Sequence, residues 1–274
     1  MSDTAGSELT PREWLGLEAT HNPHRWYLPI VPRISSRSRF LFGGAGLAAA
    51  VTALEETTGR PVVWATAQYL DHAPVGATMD VDVHVSYEGR KTTQARAIGH
   101  VDNREIITTN AALGRRDLDL AEVWPTPPPV VSPDDAEPHE RSHPQESLSS
   151  HLDQRFARTT GDDLGGPTGH GPGRVCLWTK PSEGVPNSAA TLAVLGDFVP
   201  MGISRVASQP VGSNSLDNTL RIIDVQPTDW YLLDIDISAI RNGFGHGQLR
   251  IWDRSGRLQA VASQSVVVRD RRNR

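Results

Sequence analysis

The chain has 274 residues, 38% of them hydrophobic, with a net charge of −5 and a pI near 6.0. That is apolar sequence enough for a sizeable core in one or two domains, and the acidic balance argues against a nucleic-acid binder, which would carry a basic stripe. The single cysteine, Cys176, excludes an internal disulfide framework and a thiol-rich metal site.

Read from its start, the segment MSDTAGSELTPREW has neither the basic nor the apolar region of a signal peptide. Residues 42–59, FGGAGLAAAVTALEETTG, form a helical stretch. The longest apolar run, 40–54, is Gly-rich and too short to span a bilayer. These features lead us to expect a cytoplasmic protein without membrane contact. Four strand-like runs follow the helix at 62–70, 78–89, 91–103 and 105–114, separated by turn signals. Residues 122–147 then hold seven prolines among acids and serines, the composition of an extended linker that cannot build a core. A Gly-rich stretch at 159–174, TTGDDLGGPTGHGPGR, reads as a mobile loop. Cys176, in RVCLWTK, reads as a buried strand residue.

Beyond the linker the order repeats. Residues 188–207, SAATLAVLGDFVPMGISRVA, are helical, and strand-like runs follow at 215–224, 230–243, 245–256 and 257–268. The sequence MDVDV at 79–83 answers LDIDI at 233–237, and Pro74 answers Pro227. A helix followed by an antiparallel run of strands, repeated once, implies an α+β fold. The expected divisions are an N-terminal domain at 1–121, a linker at 122–147 and a C-terminal domain at 148–274.

Two residues stand out against this pattern. In the last run, Leu258, Ala260, Ala262, Gln264, Val266 and Val268 share one face with a period of two, and Gln264 alone is polar. Either its amide caps a neighbouring loop, or it is buried and needs hydrogen-bond partners. Asp197 is the one acid of the second helical stretch, with Ala193, Val194, Pro200 and Met201 as helical neighbours. Either the helix ends early and exposes it, or it is buried, which would raise its pKa and make it a better base. Pro200 favours a kink by freeing the Gly196 carbonyl.

Other signals are set aside. No Gly-x-Ser-x-Gly elbow occurs. Gly243, Gly245 and Gly247 sit between strands with no helix following, as in a tight turn. His139 and His143 are four apart but lie in the Pro-rich stretch without a third ligand, so no metal is expected. His246 either lines a channel or sits on a surface hairpin. Trp178 and Trp230 read as packing residues, and the basic end RDRRNR as a solvated terminus.

The stretch 242–264, NGFGHGQLRIWDRSGRLQAVASQ, is similar to the Arg-Gly-Phe-x-x-Gly hairpin and Gln-bearing last strand of the double-hotdog acyl-CoA thioesterase II family. YLDHAPVG at 69–76 resembles that family's Tyr-Phe-Leu-x-x-Pro-Gly stretch. The resemblance implies two tandem hotdog domains, each an antiparallel sheet wrapped around a long central helix, and hydrolysis of fatty acyl-CoA to free acid and CoA. It carries the family's catalytic Asp, Thr or Ser, and Gln onto Asp197, Ser215 and Gln264. Asp197 would activate a water held by the other two, with no cofactor. Ser215 departs from the usual Thr, and strand parity puts it opposite Leu216, Leu220 and Ile222 unless a bulge intervenes.

Laid on the first half with Val63 for Ser215, the same spacings reach Ala45 and Ala112, or Gly44 and Asn110 with slippage. No acid appears, so the first half reads as non-catalytic. The alternative function is a non-catalytic acyl-CoA-binding protein of the same fold. A hotdog dehydratase would need an Asp and His pair that is not seen. Acyl-CoA is thus the expected partner, with neither nucleic acid nor membrane, and the pairing habit of hotdogs suggests a homo-oligomer.

Overall fold

The computed structural model describes residues 9–139, 145–158, 173–182 and 184–271. Most of the Gly-rich stretch at 159–174, His143 and the last three residues lie outside them. In chain order the elements are α1 (Pro11–Leu15), β1 (Glu18–Ala19), β2 (Arg25–Pro29), α2 (Gly43–Thr58), β3 (Val62–Tyr69), β4 (Thr78–Glu88), β5 (Thr92–Val101) and β6 (Arg104–Gly114). The second half contributes β7 (Glu137–Pro138), β8 (Leu152–Phe156), β9 (Arg174–Pro181), α3 (Ala189–Leu195), α4 (Val199–Val206), β10 (Val211–Ser215) and β11 (Asp217–Ile222). It closes with β12 (Tyr231–Arg241), β13 (Phe244–Asp253) and β14 (Leu258–Asp270).

Among the described residues the strands form one antiparallel sheet in the order β1-β2-β4-β5-β6-β3-β11-β14-β13-β12-β9-β8-β7, with β10 also on β14. The helices and four strands expected in each half are present. The short strands β1, β2, β7, β8 and β10 were not foreseen, since two to five residues give too little periodicity to read. Asn242 and Gly243, both at positive φ, make the tight turn between β12 and β13.

The seam of the sheet joins its two halves. There β3 pairs with β11, with Thr66 opposite Thr219 and their hydroxyls 2.7 Å apart. An antiparallel pair has a local twofold axis at such a point, so this axis exchanges positions 153 residues apart. Helices α2 and α3 pack side by side across it. Leu47, Leu54, Leu192 and Leu195 are fully buried between helices and sheet, each worth about 2 kcal/mol of burial.

The second helical stretch is broken. Gly196 caps α3, and α4 restarts at Val199 with Pro200 in its first turn, where the missing N–H costs nothing. By length and composition Ala189–Val206 would suffice to cross a membrane, but most of it is buried inside this fold.

Residues 122–127 of the Pro-rich stretch are exposed, but residues 130–136 do not stand clear of the protein, as a linker unable to build a core would. Val130, Val131 and Ala136 pack on Cys176, Trp178, Trp230, Leu232, Trp252 and Leu258 as a second core on the outer face of the sheet. Trp178 Nε1 donates to the Val131 carbonyl at 2.8 Å. The expectation failed because prolines exclude regular structure without preventing side chains from packing. Trp178 and Trp230 are packing residues, as expected.

Ala136→Asp places an unpaired carboxylate in this second core and is expected to cost about 3 kcal/mol. Removing the exposed Asp134–Arg254 pair with Asp134→Ala is expected to cost under about 1 kcal/mol. Urea unfolding of both variants checks the contrast; equal midpoints would show that the stretch is only loosely laid on the sheet.

Candidate active site

Asp197 lies in the break between α3 and α4 and is only 5% exposed. Both readings of its sequence context were half right: the helix does end early, yet the residue at its end is buried. Oδ2 accepts the Gly44 N–H at 2.6 Å. Oδ1 accepts the Ser215 hydroxyl at 3.3 Å and a close hydrogen bond from Gln264 Nε2.

Gln264 is 3% exposed and points inward from β14. Its Oε1 accepts the Val199 N–H, an orphan donor of the first turn of α4, at 3.2 Å. That contact turns Nε2 toward Asp197 and toward the Ser215 oxygen, 3.1 Å away. Ser215 therefore accepts from Gln264 and donates to Asp197, and the network holds its rotamer without the methyl of a Thr.

A bulge brings Ser215 inward. Ser215 pairs with Val266 and Thr219 with Ser263, so four steps along one strand match three along the other. Leu216, the extra residue, keeps a hydrogen bond to the Ser265 carbonyl at 2.8 Å while its side chain turns out to solvent. The expected three residues thus meet around one carboxylate.

Burial pushes the Asp197 carboxyl up to about 6, and the donors from Gln264, Gly44 and Ser215 only partly oppose that rise. Desolvation wins because three hydrogen bonds replace only part of a carboxylate's hydration. The raised value also has a sign for stability. The folded state keeps the proton where the unfolded chain has lost it, so ionising Asp197 costs folding free energy. That cost sets in near the ordinary carboxylate pKa and is complete above about pH 6.

The first half is not silent here. Moving 153 positions back from Asp197, Ser215 and Gln264 gives Gly44, Val62 and Ala111. The side chains there offer no chemistry, but the Gly44 backbone holds Asp197. A Cβ on Gly44 would lie 2.8 Å from the Asp197 Cβ and 2.9 Å from the Val194 Cα. The spacing of Pro74 and Pro227 carries this register; starting from Val63 missed it by one residue.

Beside the carboxylate opens a cavity of about 440 Å³ shared by both halves. Phe40, Leu41, Phe42 and Ile107 wall it from the first half, and Phe198 and Met201 from the second. Tyr69, missed as a site residue, also lines it. His246 does not, standing exposed on the outer face with its ring beside Ser265 Oγ. His139 stacks edge-on against Phe156, and no cluster of metal-ligating residues occurs among those described. Burial, and after it the neighbouring Asp234, pushes the Cys176 thiol up to about 12. It is inert.

The model of the acyl-CoA thioesterase C-terminal domain matches residues 130–268, and that of the acyl-CoA thioesterase N-terminal domain matches 32–113. No curated protein matches the sequence. Among solved structures, one from Novosphingobium aromaticivorans assigned to the thioesterases is 33% identical, with a TM-score of 0.82 over 92% of this chain and 97% of its own. A hot dog fold protein of unknown function from Alicyclobacillus acidocaldarius is 17% identical, with a TM-score of 0.81 over 95% and 99%. The acyl-CoA thioesterase II TesB2 of Mycobacterium marinum is also 17% identical, with a TM-score of 0.77 over 97% and 100%. These two likenesses are of fold alone.

With carbon-13 in the aspartate carboxyls, the Asp197 signal is expected to titrate near pH 6, well above the surface aspartates. A midpoint near 4 would mean that the carboxylate is solvated. Gly44→Ala is expected to lower stability by about 1–3 kcal/mol in denaturant unfolding, because the added methyl meets backbone on α3.

Proposed function

The chain belongs to the acyl-CoA thioesterase family and is a thioester hydrolase; on that premise we propose that it converts fatty acyl-CoA to free fatty acid and CoA with a water activated by Asp197. The observation that carries this reading is the buried carboxylate with a raised pKa, bonded to Ser215 and Gln264 at the wall of an apolar cavity. A carboxylate titrating near 6 is a stronger base than a surface aspartate and is still ionised at neutral pH.

In this reading each half is a hotdog, with α2 as the central helix of the first and the broken α3–α4 pair as that of the second. The catalytic side chains come from the second half. The aromatic and aliphatic walls suit an acyl chain. Arg37 and Arg39 are exposed on the loop whose Ser36 and Ser38 line the cavity, and they offer charge to the phosphates of CoA. Asp197 takes a proton from water as the oxygen adds to the thioester carbon. The carbon–sulfur bond then breaks, and the thiolate leaves with that proton. Ser215 and Gln264 hold the water, a role for which the Gln264 amide is already oriented by Val199.

The test is CoA release from acyl-CoAs of short to long chain by the parent and by Asp197→Asn. Hydrolysis by the parent is expected to fall by about 10²–10⁴-fold in the variant. Equal rates would remove Asp197 from the mechanism, and binding without release by the parent would make the chain an acyl-CoA binder. In the parent, kcat/KM is expected to fall tenfold per pH unit below about 6, because the base is lost as pH drops through its pKa. A limb near pH 4 would assign the base to a different, solvated carboxylate.

A further inference from the structure

Tyr69 ends β3 in the first half, 153 positions from Ile222 and outside the Asp197, Ser215 and Gln264 set. Its ring forms part of the cavity wall. The hydroxyl is shielded from bulk water and has no hydrogen-bond partner. Asn218 is fully buried on the adjoining strand β11, and both atoms of its amide are likewise without a partner. The amide lies against the Tyr69 oxygen without completing a hydrogen bond. Two neighbouring buried polar groups therefore lack partners at the same place, against the rule that buried polar groups are paired.

That place is next to the reacting carboxylate. A Cβ built on Gly43 would stand 2.7 Å from Asp197 Oδ2 and 3.1 Å from Tyr69 Cζ. Only the absence of a side chain at Gly43 leaves the gap between the two open. The carboxylate is thus flanked on its Oδ1 side by Ser215 and Gln264, and on its Oδ2 side by Gly44 and then Tyr69. Burial and the neighbouring Asp197 hold the phenol proton on well above its ordinary pKa, so the group is a donor throughout the working range.

We propose that the Tyr69 hydroxyl donates a hydrogen bond to the thioester carbonyl oxygen and stabilises the negative charge that forms there as water adds. This inference rests on the hydrolase reading above. In the step, the water oxygen bonds to the carbonyl carbon and its proton goes to Asp197. The carbonyl π pair moves onto the oxygen that Tyr69 faces. When that pair returns, the carbon–sulfur bond breaks and CoA leaves as the thiol with the proton from Asp197. A donor already desolvated and fixed needs no reorganisation as the charge appears. The first half would then supply a catalytic residue to the site.

Tyr69→Phe removes the hydroxyl and keeps the ring. The expected result is a fall in kcat of roughly 10²–10³-fold, with KM within about threefold of the parent and no loss of melting temperature, since an unpaired hydroxyl is removed. A kcat within about twofold of the parent would overturn the proposal, and so would a fall in kcat that follows a fall in melting temperature. A second readout does not depend on turnover. In Asp197→Asn, bound acyl-CoA labelled with carbon-13 at the carbonyl is expected to show its stretch below the free value. Adding Tyr69→Phe is expected to return it upward, and an unmoved band overturns the proposal. If the parent releases no CoA, the hydrolase reading fails, and the band still reports whether Tyr69 meets the carbonyl.

Discussion

The structure depends on keeping one carboxylate out of water. An aspartate among apolar helical residues is costly unless donors meet it, and three separate parts of the chain supply them. Gly44 comes from the N-terminus of α2, Ser215 from the end of β10 and Gln264 from the middle of β14. None of these positions is local to Asp197. The break in the helix, the bulge at Leu216 and the orientation of the Gln264 amide all serve to bring them together. The donors still do not fully offset desolvation, and the surplus appears as a raised pKa, which is what a base working near neutral pH requires.

The local twofold axis explains why only one of two related positions, 44 and 197, carries a carboxylate. Gly44 and Asp197 are symmetry mates that face each other, so closely that a Cβ on Gly44 would clash with that of Asp197. Two aspartates could not stand there together, and two carboxylates would also repel. One half gives up its side chain and offers the bare N–H instead. The same division is seen at Val62 opposite Ser215 and Ala111 opposite Gln264. The division of labour between the halves is thus a packing constraint as much as a chemical one.

The outer faces of the sheet differ for a related reason. On the first half, Arg25, Asp82 and His100 make a half-buried polar network on β2, β4 and β5. On the second, Trp178, Leu232 and Trp252 point outward from β9, β12 and β13 and need a cover, which the Pro-rich stretch provides. The contrast is visible in the strands themselves. The alternation of MDVDV in β4 leaves one face polar, whereas WYLLDID at the start of β12 carries apolar residues on both.

Sequence alone determined the order of the long elements and the internal repeat, and it singled out Gln264 and Asp197 as polar residues in apolar company without deciding whether either is buried. The elements and the two odd residues rest on periodicity or composition within some twenty residues. It also carried the three catalytic candidates, two of them through residue chemistry and Ser215 through a family resemblance. Tertiary structure decided the rest. The bulge that turns Ser215 inward depends on how β14 pairs with its neighbour, and no single strand encodes a two-strand register. The contribution of Gly44 is a backbone N–H, which every residue but proline has, so only its position across the seam gives it a role. Tyr69 reads as an ordinary strand residue until the fold sets its hydroxyl, without a partner, beside the buried carboxylate.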